Sequence, residues 1–152
     1  MDSTVKKNPT LSETTTREIR VTAISEYIDE KSDPAEDRYF YAYTITIANN
    51  SPRRVQLLSR HWIIIDSEGE RQEVHGPGVI GKTPTLAPGE SFTYTSFCIL
   101  ETGFGTMEGS YRFLDDEGTM FDVQIGRFYL ATNAPRLNSL IREQDRSPEI
   151  SE

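Results

Sequence analysis

Five large side chains, Tyr39, Tyr41, Tyr43, Ile45 and Ile47, occupy every second position of one short run. A period of two gathers them on one face of a β-strand, and a helix would scatter them around its circumference. So large an apolar face needs a second layer to cover it, and the rest of the chain offers only more strands. Ile19, Val21 and Ala23 alternate with Glu18, Arg20 and Thr22, which predicts a first strand from about Arg17 to Ile28. Ile24 and Ile28 have the other parity, so a bulge or burial on both faces is expected near Ala23. The charged stretch Asp29–Asp37 predicts a hairpin loop, and the tyrosine run a strand from about Arg38 to Ala48.

Further strands are expected over Val55–Asp66, Ser91–Leu100, Met107–Leu114 and Thr119–Leu130, with Arg71–Val74 pairing back after the turn Asp66-Ser67-Glu68-Gly69. Within Val55–Asp66 the segment Trp62–Ile65 lacks alternation, which predicts cover on both faces. Phe121, Val123 and Ile125 share one parity while Phe128 and Leu130 have the other, so Gly126 marks a second expected bulge. His75–Glu90 holds too many glycines and prolines for a regular element. Pro88-Gly89 suits the central positions of a type II turn. No amphipathic helix of useful length is present, which excludes a parallel α/β domain. The economical solution is an all-β, immunoglobulin-like antiparallel sandwich of about seven to eight strands.

The 152 residues suit one domain. Residues 1–16 read as a flexible arm, 17–133 as the sandwich and 134–152 as a polar tail. With Lys and Arg at 16 and Asp and Glu at 24, the net charge of −8 repels nucleic acid, which is not expected as a partner. Apolar runs are too short to cross a bilayer, and the polar start is no secretory signal, so no membrane partner is expected. One cysteine, Cys98, cannot form an internal disulfide, and a reducing, cytoplasmic setting fits.

The segment His75-Gly76-Pro77-Gly78-Val79-Ile80-Gly81 contains G-x-G-x-x-G. A dinucleotide fingerprint requires a helix opening on those glycines, and Pro84 and Pro88-Gly89 forbid one. The residues still suit an anion: glycines expose successive N–H groups, and Lys82 adds charge where no carboxylate lies from Val74 to Gly89. Gly76, Gly78, Gly81 and Lys82, with His75 beside them, form the candidate site for a phosphate or pyrophosphate group. The competing reading gives the glycines and prolines no role beyond shaping a crossing loop.

Other chemistry is sparse. His61 and His75 lack zinc-type spacing from each other and from Cys98, so no metal site is expected. Cys98 reads as a buried apolar residue, and no base is evident to make it a nucleophile. Asp115-Asp116-Glu117 reads as a solvated turn and Arg53-Arg54 as a wet loop. No catalytic residue and no cofactor is expected, so an enzyme acting on nucleotides ranks below a binding protein. Open edge strands and the tyrosine row invite a protein partner or self-association.

Several segments together resemble one family. They are Tyr41–Asn50, Val55–Trp62, Val74–Gly81, Pro84–Glu90 and Met107–Phe113, in order across residues 17–133. In these segments the chain is similar to the ApaG family, and it looks like a stand-alone bacterial member extended at both ends. The resemblance implies a fibronectin type III-like sandwich and a binding module of unsettled role. It also implies a link to cobalt and magnesium tolerance, under the label of an efflux protein. A chain with no span would take part only indirectly. The family's glycine motif falls on Gly76, Gly78 and Gly81 and has prompted proposals of phosphate or pyrophosphate binding; here Pro77 removes one N–H from it. Fusion of the domain to F-box proteins and to a polymerase-interacting protein in eukaryotes implies protein binding.

Overall fold

A computed structural model describes residues 10–133. Nine antiparallel strands follow in order: β1 (Leu11–Thr16), β2 (Ile19–Tyr27), β3 (Tyr39–Asn49), β4 (Val55–Asp66), β5 (Arg71–Pro77), β6 (Thr85–Leu86), β7 (Ser91–Leu100), β8 (Phe104–Asp115) and β9 (Met120–Ala131). One sheet runs β1-β2-β3-β7, and the other runs β5-β4-β8-β9 with β6 added to β4. The two pack face to face as the expected sandwich. Among the described residues no helix is long and apolar enough to cross a membrane.

The tyrosine run behaves as its period requires. Tyr41, Tyr43, Ile45 and Ile47 of β3 are buried, as are Ile19, Val21 and Ala23 of β2. From the opposite sheet Trp62 meets Tyr43 at 5.4 Å between ring centroids, and it packs against Phe128 of β9 at 6.0 Å. A side chain of this size removes roughly 150–250 Å² from water. At about 25 cal/mol/Å² that is a gross gain of about 4–6 kcal/mol, so Trp62 anchors the centre. Tyr94 and Tyr111 join the two sheets by a 2.6 Å hydroxyl–hydroxyl hydrogen bond.

Matching turns link β4 to β5 and β8 to β9. In the first, the Gly69 N–H donates to the Asp66 C=O, and Asp66 Oδ1 accepts the Glu68 and Glu70 N–H groups. In the second, Gly118, Asp115, Glu117 and Thr119 repeat the pattern. Gly69 and Gly118 sit at φ 84° and 85°, where a glycine is favoured. At the start of β7 the Glu90 N–H donates to the Ala87 C=O and Gly89 has φ 88°, which is the type II turn expected at Pro88-Gly89.

Several expectations need correction. Residues 1–16 are not all an arm, because Leu11–Thr16 pairs with Ile19–Ile24 of β2 in unbroken register. Their turn uses Arg17 and Glu18 at φ 51° and 67°, and the Arg17 guanidinium lies 4.4 Å over the Phe121 ring. Residues 1–9 and 134–152, the rest of the expected arm and tail, lie outside the described residues. Of the two alternatives at Ala23, burial on both faces holds and the bulge does not: β2 pairs with β3 in constant register, and Ile24 is half-buried and Glu26 and Ile28 buried on the parity opposite to Ala23. The bulge at Gly126 is present, where Gly126 and Arg127 together face Glu108. An unforeseen one at Leu58 moves burial from Val55 and Leu57 to Trp62 and Ile64. The irregular crossing is shorter than expected: β5 extends to Pro77, and Thr85–Leu86 adds a strand beside Val55.

Along one side the sandwich is sealed. Ser12 Oγ donates to the Gly126 C=O at 2.8 Å, Gln124 N–H to Thr16 Oγ1 at 3.2 Å, and Ser25 Oγ to the Tyr129 C=O at 2.6 Å. β1 and β2 therefore lie against β9, and β7 ends its sheet on the opposite side.

Candidate functional site

The glycine motif is divided between a strand and a turn. Gly76 lies in β5 opposite Arg60 of β4, and a Cβ there would sit 2.8 Å from the Arg60 guanidinium. That guanidinium donates to the Pro77 and Gly78 carbonyls, each at 3.0 Å. Gly78 has φ 61°, and a Cβ on it would overlap the Lys82 carbonyl oxygen. Ile80 and Gly81, at φ 42° and 77°, are the central residues of a tight turn closed by Val79 and Lys82.

Three N–H groups of this segment, those of Gly78, Val79 and Lys82, have carbonyl partners. Gly78 donates to the Leu58 C=O, Val79 to the Lys82 C=O and Lys82 to the Val79 C=O, each at 2.8 Å. Val79 is fully buried, which fixes the turn to the sandwich. His75 and Gly76, as neighbours in one strand, face opposite sides of the sheet. Of the five expected site residues, His75 pairs across the strands with His61, Gly76 lies opposite Arg60, and Gly78, Gly81 and Lys82 belong to the turn.

On the outer face of β4 and β5 a different cluster forms. His61 and His75 are directly paired across the strands, with ring centroids 4.0 Å apart and planes within 11°. Glu73 Oε1 lies 3.0 Å from His61 Nε2 and 3.7 Å from His75 Nε2. One donor atom from each of the three residues falls within 4.8 Å of the other two. Arg71 Nη2 holds the other Glu73 oxygen at 2.6 Å. The Arg71 guanidinium, and next His61, keep the Glu73 carboxyl below the usual carboxylate range. The sequence reading missed this group because His61 and His75 are far apart along the chain. The signal was the turn Asp66–Gly69: with Asp66 bonded to Glu70, the register beyond it sets His61 against His75.

Beside His61 the same face carries an open groove of about 350 Å³, lined by Glu108, Ser110, Gln124 and Arg127 over Gly109 and Gly126. Arg127 and Glu108 pair across it at 3.1 Å. Other residues weighed in the sequence have structural partners. Arg53 pairs with Asp116 at 3.1 Å and Glu117 at 2.7 Å. Cys98 is buried, and burial pushes its thiol up to about 12, so it is no nucleophile near neutral pH.

The remaining feature is the free edge of β7. Its ten residues, SFTYTSFCIL, contain no charge, proline or glycine. The Asn49 N–H donates to the Glu90 C=O, and on the far side of β3 the Ile28 N–H donates to the Phe40 C=O. These two bonds set the phase of the ladder: Tyr94, Ser96, Cys98 and Leu100 bond to β3, and Thr93, Thr95, Phe97 and Ile99 direct their N–H and C=O groups outward. Among the described residues no strand pairs with that edge. Its outer face carries the Phe40–Phe97 stack, with centroids 4.9 Å apart, and hydroxyl pairs Thr44–Thr95 and Thr46–Thr93.

The ApaG domain profile matches residues 29–115. Protein ApaG of Azoarcus sp. (strain BH72) is 50% identical over 121 residues, which is 80% of this chain and 95% of that protein. Protein ApaG of Methylobacterium nodulans is 53% identical over 115 residues, 76% of this chain and 88% of its own length. A crystal structure described as an ApaA protein from Bordetella pertussis superposes with a TM-score of 0.75 at 44% identity, covering 79% of this chain and 98% of that one.

Proposed function

Starting from the premise that this chain belongs to the ApaG family, we propose that it is a non-enzymatic binding module that takes up an extended segment of a partner protein along β7. The observation that carries the reading is the edge itself: ten residues without charge, proline or glycine, with every second peptide group directed outward. Natural sheets normally protect such an edge with lysine, proline, a bulge or a covering element. An incoming strand gains main-chain hydrogen bonds at the outward residues and side-chain contacts on the outer face. Near Ile99 the Phe40–Phe97 stack favours an apolar or aromatic partner residue, and near Thr93 the threonine pairs favour small hydroxyl or β-branched ones. On this reading the protein works in the cytoplasm, where Cys98 stays a thiol, and any part in cobalt or magnesium tolerance runs through the partner.

The phosphate reading of the glycine motif draws less support, because the Gly78, Val79 and Lys82 N–H groups already have carbonyl partners. The test is a selection of peptide binders from a random library, mapped by amide chemical shifts. Binders are expected to move Thr93, Thr95, Phe97 and Ile99, and Thr95→Pro is expected to abolish the effect. Binders that map only to the β4–β8–β9 face, with β7 unmoved, would overturn the proposal. A parallel titration with pyrophosphate that moved Gly78–Lys82 at low concentration would favour the anion reading instead.

A further inference from the structure

The His61–Glu73–His75 cluster lies on a different sheet from β7 and has its own chemistry. We infer that it is a binding site for a zinc-class divalent cation, held by His61 Nε2, His75 Nε2 and Glu73 Oε1. Two neutral imidazoles and one carboxylate are a donor set suited to borderline transition metals, and magnesium or calcium prefers oxygen alone. Bonds of roughly 2.0–2.2 Å at a tetrahedral centre place neighbouring donor atoms about 3.3–3.6 Å apart. The two distances from Glu73 Oε1, 3.0 Å to His61 and 3.7 Å to His75, straddle that range.

The scaffold brings the three side chains together before any ion arrives, and the two rings, stacked within 11°, have to tilt toward each other for both Nε2 lone pairs to meet one ion. His61 and His75 are a cross-strand pair, and the register from Ser59–Pro77 to Ile65–Arg71 has no interruption. Glu73 is two residues before His75 and shares its face of β5. Arg71 takes Glu73 Oε2 at 2.6 Å and leaves Oε1 toward the rings, so it orients the ligand from outside the coordination sphere. The side chains are 33%, 41% and 68% exposed for His61, Glu73 and His75. A fourth position is therefore open to water or to a donor from another molecule. Three ligands with an open position make a site of exchangeable occupancy, unlike the closed four-ligand sites that hold small domains together.

The test uses the full chain without an affinity tag, stripped with a chelator and titrated with Zn²⁺. It is followed by calorimetry and by imidazole nitrogen–proton spectra. The chain has 2 histidines, so both can be followed without ambiguity. The expected result is that both rings move together and saturate at one ion per chain, and that Mg²⁺ moves neither. His75→Ala should weaken binding by at least about tenfold, and Glu73→Gln should also weaken it. His75 is 68% exposed, so its replacement keeps the fold if His61→Ala does not. The inference is overturned if the rings fail to saturate together, if Mg²⁺ competes equally, or if His75→Ala binds Zn²⁺ as the unaltered chain does.

Discussion

Replacing the three motif glycines one at a time by alanine separates their reasons for being glycine. At Gly78 two costs add. The residue sits at φ 61°, where an L-residue is less stable by about 1–2 kcal/mol. Its new Cβ would also overlap the Lys82 carbonyl oxygen, a backbone atom fixed by its bond from Val79. Crowding of that kind costs about 1–3 kcal/mol, so Gly78→Ala should destabilise by about 2–5 kcal/mol. Gly81 at φ 77° has nothing within 4 Å of its Cβ position, so only the backbone cost of about 1–2 kcal/mol applies. At Gly76 the obstacle is the end of the Arg60 side chain, which swings away and gives up two carbonyl contacts, at a cost below about 1 kcal/mol. The assay is urea unfolding followed by fluorescence of Trp62. With a slope of about 2 kcal/mol/M the midpoint should fall by about 1–2.5 M for Gly78→Ala, about 0.5–1 M for Gly81→Ala and less than about 0.5 M for Gly76→Ala. If Gly76→Ala costs as much as Gly78→Ala, the reasoning is wrong.

Three other outcomes are expected. The Tyr41 hydroxyl is buried with no hydrogen-bond partner among the described residues, so Tyr41→Phe should leave the urea midpoint unchanged or raise it, by up to about 1 kcal/mol of stability. The Thr119 N–H, opposed by burial and helped by the Glu117 N–H, holds the Asp115 carboxyl below the usual aspartate range. The stability this gives is complete above the unfolded value and is lost as pH falls through the lowered native value, so Asp115→Asn should flatten the acid limb of a stability–pH curve. Cys98, buried and with its thiol pushed up to about 12, should react with a thiol reagent at pH 8 only after denaturation, which an absorbance assay reads directly.

What the sequence revealed and what it concealed divide along physical lines. Alternation marks burial wherever a strand is regular, which is why Tyr41 to Ile47 and Ile19 to Ala23 could be assigned to the core from spacing alone. Glycine and proline chemistry marked the turns at Gly69, Gly89 and Gly118 and the bulge at Gly126. The hairpin at Arg17-Glu18 carried no such mark, because its positive φ angles fall on residues that seldom adopt them. Without that turn, Leu11–Thr16 looks like polar chain, although its threonines suit an edge strand. The His61–His75 pairing depends on register, which comes from adding a turn to two strands and from no single motif. The glycine motif has a structural reading as well. Its spacing suggests a cradle, and the structure uses it for Arg60, for the Lys82 backbone and for a tight turn.

The open edge of β7 carries the proposed function, and amide hydrogen exchange along that strand tests it most directly. In the free protein, Thr93, Thr95, Phe97 and Ile99 should exchange far faster than Tyr94, Ser96 and Cys98, whose N–H groups bond to β3. Uniform slow exchange from Thr93 to Ile99 in dilute monomer would mean the edge is already covered, and a partner strand would have nowhere to dock.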